Sequence, residues 1–310
     1  MSPRRLPVHV VLAALALVAL ASCSRHAAAK PAAQAAPEAV RTFTAAEIRA
    51  ALGDAPAAGY DVYAVRVGQS AGAPKDLFYR GAAPGERVTI AYAFWVLVGE
   101  GRTILVDTGF VSGAKIAEWK VTGYRNPADG LAALRVRPEQ VQDILVTHRH
   151  WDHVGGLALF PKARVWMPAR EVQDALERYR TSDPAIDAAL AALAKDGRLR
   201  DPAPLARPFP GVAVVRQGAH TRDFQYVVVN EPGGPLVLAG DAAPLYQNVA
   251  DVHPSGQTRN AEHSTAAIAA MIEVAGGRHE RIVPGHDPEV FRRFPEVAPG
   301  VVKIAARRGK

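Results

Sequence analysis

Alternating apolar and polar positions predict that the folded part of the chain begins with β-strands. Residues 60–67 (YDVYAVRV) alternate as a half-buried strand does. Two apolar runs at 91–98 and 102–106 flank Gly99-Glu100-Gly101, a sequence typical of a hairpin turn. Shorter apolar runs predict two further strands in this first block, at 142–146 and 164–167.

A second block of strands follows, and helices separate the two blocks. The predicted strands are 212–216, 224–230 and 235–239, with Gly233-Gly234 as the turn between the last two. Helices are predicted at 171–180, 184–195 and 261–275. Two blocks of strands, each followed by helices, favour an α/β fold in which two sheets pack face to face with helices outside. This is a four-layer αβ/βα arrangement.

Composition excludes several classes of protein. The chain has 310 residues, of which 49% are hydrophobic and 22% charged, so a disordered chain is excluded. No apolar run reaches the ~20 residues that a membrane-spanning helix needs, which excludes a polytopic membrane protein. The single cysteine, Cys23, allows no intrachain disulfide and no cysteine-rich zinc module. The formal net charge is +7, but the basic residues are scattered, so we expect no nucleic-acid partner.

The first residues have the pattern of a secretory signal. Arg4 and Arg5 precede an apolar run at 10–21 (VVLAALALVALA) that is too short to span a membrane as a mature helix. The run ends in Leu20-Ala21-Ser22-Cys23, which resembles the lipobox of bacterial lipoproteins. That resemblance implies a signal peptide at 1–22, cleavage before Cys23 and lipidation of the Cys23 sulfur. The alternative is a soluble secreted protein in which the cysteine is incidental.

Residues 23–40 are predicted to be a flexible tether. They are rich in alanine, contain proline and show little apolar periodicity, a composition that cannot bury a face. Linker-like composition does not recur, so residues 41–310 are expected to form one catalytic domain. A lipid anchor would hold this domain at the periplasmic side of a bacterial membrane. Ser24 stands where an aspartate commonly signals inner-membrane retention, so the lipoprotein resemblance favours the outer membrane.

Side chains of the metal-ligand type cluster where the strand at 142–146 ends. The segment 147–153 (THRHWDH) contains four of them within six positions, which packing alone does not explain. Alternation along an extended run would direct His148 and His150 to one ion and leave Asp152 and His153 for a second. Three further candidates are expected at strand ends, each beside glycine or another small residue, namely His220, Asp241 and His286. Imidazole and carboxylate ligands suit zinc and other borderline divalent metals.

Together these seven residues resemble the HxHxDH…H…D…H ligand set of the metallo-β-lactamase superfamily. Asp107-Thr108-Gly109 resembles that superfamily's DTG element, whose aspartate supports the metal ligands without binding the metal. The similarity runs from about Tyr60 to Ile304. It implies two zinc ions per chain with a hydroxide between them. In this assignment His148, His150 and His220 hold one ion, Asp152, His153 and His286 hold the other, and Asp241 bridges the two.

Three stretches are most similar to N-acyl homoserine lactonases, namely Trp95 to Phe110, His148 to Pro168 and Val283 to Pro295. This resemblance implies hydrolytic opening of a lactone ring, with a small-molecule lactone or ester as the substrate. It gives Asp152 the role of relaying a proton. Members of the family place a tyrosine shortly after the bridging aspartate, and Tyr246 is the matching candidate for a contact with the substrate carbonyl.

Several activities remain open beside the lactonase. Other esterases of the superfamily, phosphotriesterases and β-lactamases also use bound metal ions for hydrolysis. A mononuclear iron persulfide dioxygenase shares several of the ligand residues. A tethered binding protein without turnover is the alternative outside enzymes, and its mark would be a missing ligand. The absence of a cysteine beyond Cys23 argues against β-lactamases that use a thiolate ligand. The third histidine stands in Ala219-His220-Thr221, without the glycine usual in lactonases, which leaves the substrate open.

Overall fold

The computed structural model describes residues 41–53 and 59–305. The predicted signal peptide, lipobox and tether lie outside the described residues. None of the helices in these two ranges has the length and apolar content that a membrane crossing requires.

Thirteen strands and nine α-helices are found in the described part of the chain. The strands are β1 (Tyr60–Pro74), β2 (Arg87–Gly99), β3 (Arg102–Val106), β4 (Asp143–Leu145), β5 (Arg164–Trp166), β6 (Leu199–Arg200), β7 (Leu205–Phe209), β8 (Val212–Arg216), β9 (Gln225–Glu231), β10 (Gly234–Gly240), β11 (Ile282–Pro284), β12 (Glu296–Ala298) and β13 (Val301–Ala305). The helices are α1 (Ala45–Leu52), α2 (Gly113–Glu118), α3 (Pro127–Ala132), α4 (Trp151–Val154), α5 (Ala169–Glu177), α6 (Pro184–Leu193), α7 (Tyr246–Ala250), α8 (Ala261–Val274) and α9 (Val290–Arg293). Short 3₁₀ turns lie at Lys75–Leu77, Pro138–Gln140, Leu157–Leu159 and His279–Arg281.

The strands form two sheets. The larger has the order β12-β13-β1-β2-β3-β4-β5-β6, and the smaller has the order β11-β10-β9-β8-β7. In the larger sheet β3, β4, β5 and β6 run parallel to one another, because helices and loops connect them on one face. In the smaller sheet only β10 and β11 are parallel.

Buried side chains divide into three layers that separate the sheets and helices. The layer between the two sheets includes Trp95 of β2 and Leu238 of β10. On the outer face of the larger sheet, Phe94 packs in a second layer with residues of α5 and α6. On the outer face of the smaller sheet, Val228 lies in a third layer with Ile48 of α1 and residues of α8. Neighbouring residues on a strand point to opposite faces, so Phe94 and Trp95 serve different layers. The predicted four-layer fold is confirmed.

Most predicted elements are present, and the differences have local causes. The predicted hairpin is confirmed, since Gly99 pairs with Arg102 and Glu100 takes a left-handed backbone (φ 48°) in the turn. Strand β1 continues to Pro74 rather than ending at 67, because pairing with the long β2 outweighs the weak strand preference of its small residues. The apolar pattern does not predict β7, an edge strand that contains an arginine and Pro208.

The topology brings the ends of parallel strands from both sheets to one edge. Asp107 follows β3 and His148 follows β4, the parallel neighbour of β3. Asp241 follows β10 and His286 follows β11, the parallel pair of the other sheet. Clefts beyond the carboxyl ends of parallel strands are where α/β folds bind ligands. This edge therefore positions the candidate site.

Candidate metal centre

The structure brings all seven predicted ligand residues together in two groups. The first ligand group contains His148, His150, His220 and Asp241, and the second ligand group contains Asp152, His153 and His286. Within each group the ligand atoms all lie within 4.8 Å of one another. Six of these residues divide as the superfamily resemblance implies, and Asp241, which the resemblance makes the bridge, falls in the first ligand group. Six of the seven residues are buried, and His150 is half-buried at the cavity described below.

In the first ligand group three ring nitrogens converge on one point. The Nδ1 atom of His150 lies 2.8 Å from His148 Nε2 and 3.1 Å from His220 Nε2. Burial lowers the pKa of His148 well below its usual value and that of His150 to about 3, so both rings are neutral at physiological pH. A neutral imidazole carries a single N–H, so it can donate only one hydrogen bond. Convergent nitrogens at these distances are therefore better satisfied by a cation than by one another.

The second ligand group is an ionic cluster. Asp152 Oδ2 lies 3.5 Å from His153 Nε2 and 3.6 Å from His286 Nε2. Burial alone would lower the pKa of His153, but Asp152, Asp241 and Asp107 outweigh it and raise that pKa well above the usual value. His153 Nε2 is buried and has no hydrogen-bond partner among the described residues. In the metal-free protein the raised pKa thus favours a proton on His153 Nε2, the atom that would bind a metal ion.

Asp241 lies between the two groups. Its Oδ2 atom is 3.2 Å from His220 Nε2 and 3.7 Å from His148 Nε2. Its Oδ1 atom is 3.1 Å from His286 Nε2 and 3.4 Å from His153 Nε2. One carboxylate oxygen thus faces each group, which is the arrangement of a bridging ligand.

A close backbone approach sets this position of Asp241. A Cβ atom on Gly285 would lie 2.8 Å from the carbonyl carbon and oxygen of Gly240 and 3.1 Å from Asp241 Oδ1. Only glycine fits there without displacing backbone, so Gly285 allows the ends of β10 and β11 to carry Asp241 and His286 side by side.

Asp107 holds both groups from behind. Its carboxylate accepts hydrogen bonds from Thr147 N (2.7 Å) and Thr147 Oγ1 (2.9 Å), and its Oδ2 lies 2.7 Å from His153 Nδ1. The same Thr147 hydroxyl lies 3.0 Å from His148 Nδ1. The ring of His286 is held separately, because its Nδ1 lies 2.9 Å from the backbone carbonyl oxygen of Ala91. Such outer partners fix the orientation of metal-binding rings, and this is the role that the superfamily resemblance implies for Asp107.

The donor set fits metal ions of the zinc type. It consists of imidazole nitrogens and carboxylate oxygens, the ligands of zinc and of other borderline divalent metals. Asp241 Oδ1, like His153 Nε2, is buried without a hydrogen-bond partner among the described residues. Bound cations would satisfy such unpartnered polar atoms where they face one another in a buried cluster.

A cavity of about 230 Å³ opens beside the two ligand groups. Its walls are mainly apolar and aromatic, from Phe78, Ile90, Tyr92, Trp119 and Trp151. His150, Asp152, Asp241 and His286 form its polar end, and Gln257 completes the lining. Apart from Trp151, which lies inside the histidine motif, no local sequence pattern marks these wall residues, because they come from separate segments that only the fold assembles.

The structure does not bring Tyr246 to this cavity. Its ring lies under the guanidinium of Arg293, 3.8 Å from it, and lines a different cavity together with Leu236 and Phe294. Tyr246 begins α7, and its backbone N–H donates to Asp287 Oδ2, which turns the ring towards the layer between the sheets. The predicted contact between Tyr246 and a substrate carbonyl is thus not supported by this placement. Tyr92 is the tyrosine that lines the metal cavity.

Two sheets between helices, with a cluster of His and Asp side chains at the edge where parallel strands end, define an α/β protein with a candidate metal centre. The chain belongs to the metallo-beta-lactamase superfamily, whose sequence profile matches residues 89–286, more than half of the chain.

Individual relatives have low sequence identity to this chain. A probable metallo-hydrolase of Mycobacterium tuberculosis is 28% identical over 162 residues, which cover 45% of this chain and 52% of the relative. The chain thus spans about half the length of that relative. An N-acyl homoserine lactonase of a Bacillus species is 25% identical over 232 residues, 69% of this chain and 89% of the relative. The crystal structure of a quorum-quenching N-acyl homoserine lactone lactonase has a TM-score of 0.66 at 20% identity, covering 80% of this chain and 100% of that one. This last similarity concerns the fold alone.

Proposed function

We propose that the protein is a dinuclear zinc hydrolase that opens the lactone ring of N-acyl homoserine lactones. The observation that carries the proposal is the placement of Asp241, with one carboxylate oxygen facing each ligand group. The first ion would be held by the three histidines of the first ligand group, the second by the second ligand group, and Asp241 would bridge them. Bound ions of this kind lower the pKa of a water molecule and polarise a carbonyl group.

Asp152 is the residue placed to move a proton. Burial alone would raise the pKa of its carboxyl group, but His153 and His286 hold that pKa below the usual value. The carboxylate is therefore ionised at neutral pH, and it lines the cavity. It can accept a proton from the attacking water and return it to the ring oxygen that leaves, a general acid–base role.

The cavity suits a neutral substrate with an apolar tail. The described residues that line it include no lysine or arginine, so a carboxylate on the substrate would find no ammonium or guanidinium group to pair with there. Phe78, Trp119 and Trp151 offer apolar surface to an acyl chain. The amide of Gln257, at the same cavity, can hydrogen-bond the amide of an acylated homoserine. β-Lactam antibiotics carry a carboxylate, for which this lining is less suited.

Substrate panels test the proposal directly. We expect the zinc-loaded full-length protein to hydrolyse N-acyl homoserine lactones of several chain lengths. Its kcat/KM for them should exceed that for a β-lactam or a phosphotriester by more than about 100-fold, the discrimination that site geometry can supply. Asp241→Asn protein prepared in the same way controls for contaminating hydrolases.

The alternatives correspond to other results of the same experiment. Equal or faster turnover of the β-lactam or the phosphotriester would move the assignment to that class of hydrolase. One iron per chain, together with oxygen consumption on a persulfide, would favour a dioxygenase. Two bound ions with no turnover of any substrate would favour a binding protein.

We also propose that the protein is a lipoprotein anchored through Cys23 at the periplasmic side of the outer membrane. The sequence Leu20-Ala21-Ser22-Cys23 at the end of the apolar run supports this. A Cys23→Ala variant should lose its acyl modification and its association with membranes, while hydrolysis continues. The measurements are mass spectrometry of the mature amino terminus and fractionation of membranes. A Ser24→Ala variant, which keeps the cysteine, should remain anchored, and wild-type protein recovered unmodified and soluble in the periplasm would refute the anchor.

A further inference from the structure

The ligand histidines differ in how their rings are held. The ring nitrogens of His148, His153 and His286 that face away from the ligand groups are hydrogen-bonded, as described above. The ring of His220 has no such bond, because its Nδ1 atom is buried without a partner among the described residues. Among the described residues, the ring of His150 is within hydrogen-bonding distance only of nitrogens of its own group. Both of these rings belong to the first ligand group, so something other than ring hydrogen bonds must fix them.

One buried carboxylate reaches the backbone beside both rings. Glu171, in the first turn of α5, is 0% exposed. Its Oε2 atom accepts hydrogen bonds from the backbone N–H of Arg149 (3.2 Å) and from Arg149 Nη1 (3.0 Å). Its Oε1 atom accepts a hydrogen bond from the backbone N–H of Asp223 (2.9 Å). Arg149 lies directly before His150, and Asp223 lies three residues after His220.

We propose that Glu171 is the positioning residue of the first ligand group. It joins the loop after β4 to the loop between β8 and β9, and it thereby fixes the two imidazoles that have no ring hydrogen bond of their own. The inference rests on metal binding by the first ligand group, one part of the proposed function, and not on the identity of the substrate.

The chemistry of a carboxylate explains why glutamate stands at this position. Both of its oxygens accept, so each can satisfy one of two backbone N–H groups that face it from different loops. A glutamine would turn its NH₂ group towards one of those N–H groups and lose one link. Arg149, only 6% exposed, supplies a charge-assisted bond and stacks over the ring of Tyr179 at 4.4 Å. The buried Arg149 guanidinium therefore has Glu171 as a hydrogen-bond partner and the ring of Tyr179 as a stacking partner.

Zinc affinity measured in single-site backgrounds tests the proposal. A His286→Ala protein keeps the first ligand group intact, and a His220→Ala protein keeps the second. We expect Glu171→Gln to weaken zinc binding about 10–100-fold in the His286→Ala background, the usual effect of losing an outer partner. In the His220→Ala background the same change should leave zinc affinity unaltered. Competition with a chromophoric chelator gives the affinities, and Co²⁺ absorption in the first background should also change, because the imidazoles shift.

Two outcomes would overturn the proposal. Unchanged zinc affinity in the His286→Ala background would show that Glu171 does not position the first ligand group. Equal losses in both backgrounds would show a general effect on folding. Neither result depends on lactone hydrolysis, so failure of the substrate assignment would be seen separately.

A matched variant controls for the loss of a buried carboxylate. Asp143 is also 0% exposed, and it accepts hydrogen bonds from Arg164 and Trp166, neither of which belongs to a ligand loop. Asp143→Asn should lower the melting temperature without altering zinc affinity in either background. If Glu171→Gln does not accumulate as folded protein, Glu171→Asp keeps the charge and shortens the reach. Its zinc affinity should fall in the His286→Ala background alone, and an unchanged value there would equally count against the role.

Discussion

Asp241→Asn protein should hold about one metal ion per chain where the wild type holds about two, as expected when a bridging ligand of a two-metal site is lost. The amide keeps the shape of the carboxylate but removes a negative charge and leaves one oxygen as a ligand. The second ligand group should lose its ion first, because Asp152 and Asp107 still raise the pKa of His153 when Asp241 is replaced, so a proton competes with the metal ion there. Burial keeps His148 and His150 neutral, so protons compete less for the first ligand group.

Hydrolysis should fall further than metal content alone suggests. Loss of an outer partner typically costs about 10–100-fold, and loss of the bridge should cost more, because both ions lose their common ligand. Elemental analysis gives the stoichiometry, and kcat with the preferred substrate gives the activity. Asp143→Asn is a matched control, since Asp143 is buried and its carboxylate accepts hydrogen bonds from Arg164 and Trp166 rather than from a ligand. An Asp241→Asn protein that keeps two ions and near wild-type turnover would show that there is no bridge.

The ligand residues could be predicted from the sequence because strand geometry fixes them locally. His148 and His150 stand two residues apart where an extended run ends, and the residues after them begin a helix, α4. Asp241 and His286 each follow a strand and a glycine, so the sequence alone marked them as residues at strand ends. Local patterns of this kind are readable without knowing the fold.

The rest of the site depends on contacts between distant segments, which a local pattern does not record. Trp119 follows a short helix, α2, yet it meets Trp151 with ring centroids 6.1 Å apart. Tyr246 follows Asp241 closely in sequence, but the start of α7 directs its ring to the layer between the sheets. In the sequence Glu171 looks like an ordinary acidic residue in the first turn of a helix. Its role is visible only in the fold, where it accepts hydrogen bonds from two separate loops. Tyr246 was assigned to the site because it is close to Asp241 in sequence, and the fold places it elsewhere. Glu171 was not predicted because the two loops that it joins are distant in sequence.

Asp107→Asn should weaken metal binding in the second ligand group about 10–100-fold, the typical effect of removing a partner behind a ligand. Asp107 Oδ2 lies 2.7 Å from His153 Nδ1, and the two carboxylate oxygens accept hydrogen bonds from Thr147 N and Thr147 Oγ1. An asparagine has only one side-chain oxygen, so it can keep only some of these hydrogen bonds. Asparagine is well suited to the left-handed backbone at this position (φ 63°), so the substitution changes the side chain without adding backbone strain.

Zinc affinity of the Asp107→Asn variant in the His220→Ala background provides the measurement, since only the second ligand group is complete there. The first ligand group should be affected less, because Asp107 reaches His148 only through the Thr147 hydroxyl. Asp143→Asn matches the change in a carboxylate that is equally buried and lies at the start of the neighbouring strand β4. If Asp107→Asn and Asp143→Asn reduced the melting temperature alike and neither altered zinc affinity, Asp107 would support the fold but not the metal ligands. A loss confined to Asp107→Asn would instead tie the second ion to the charge that orients His153.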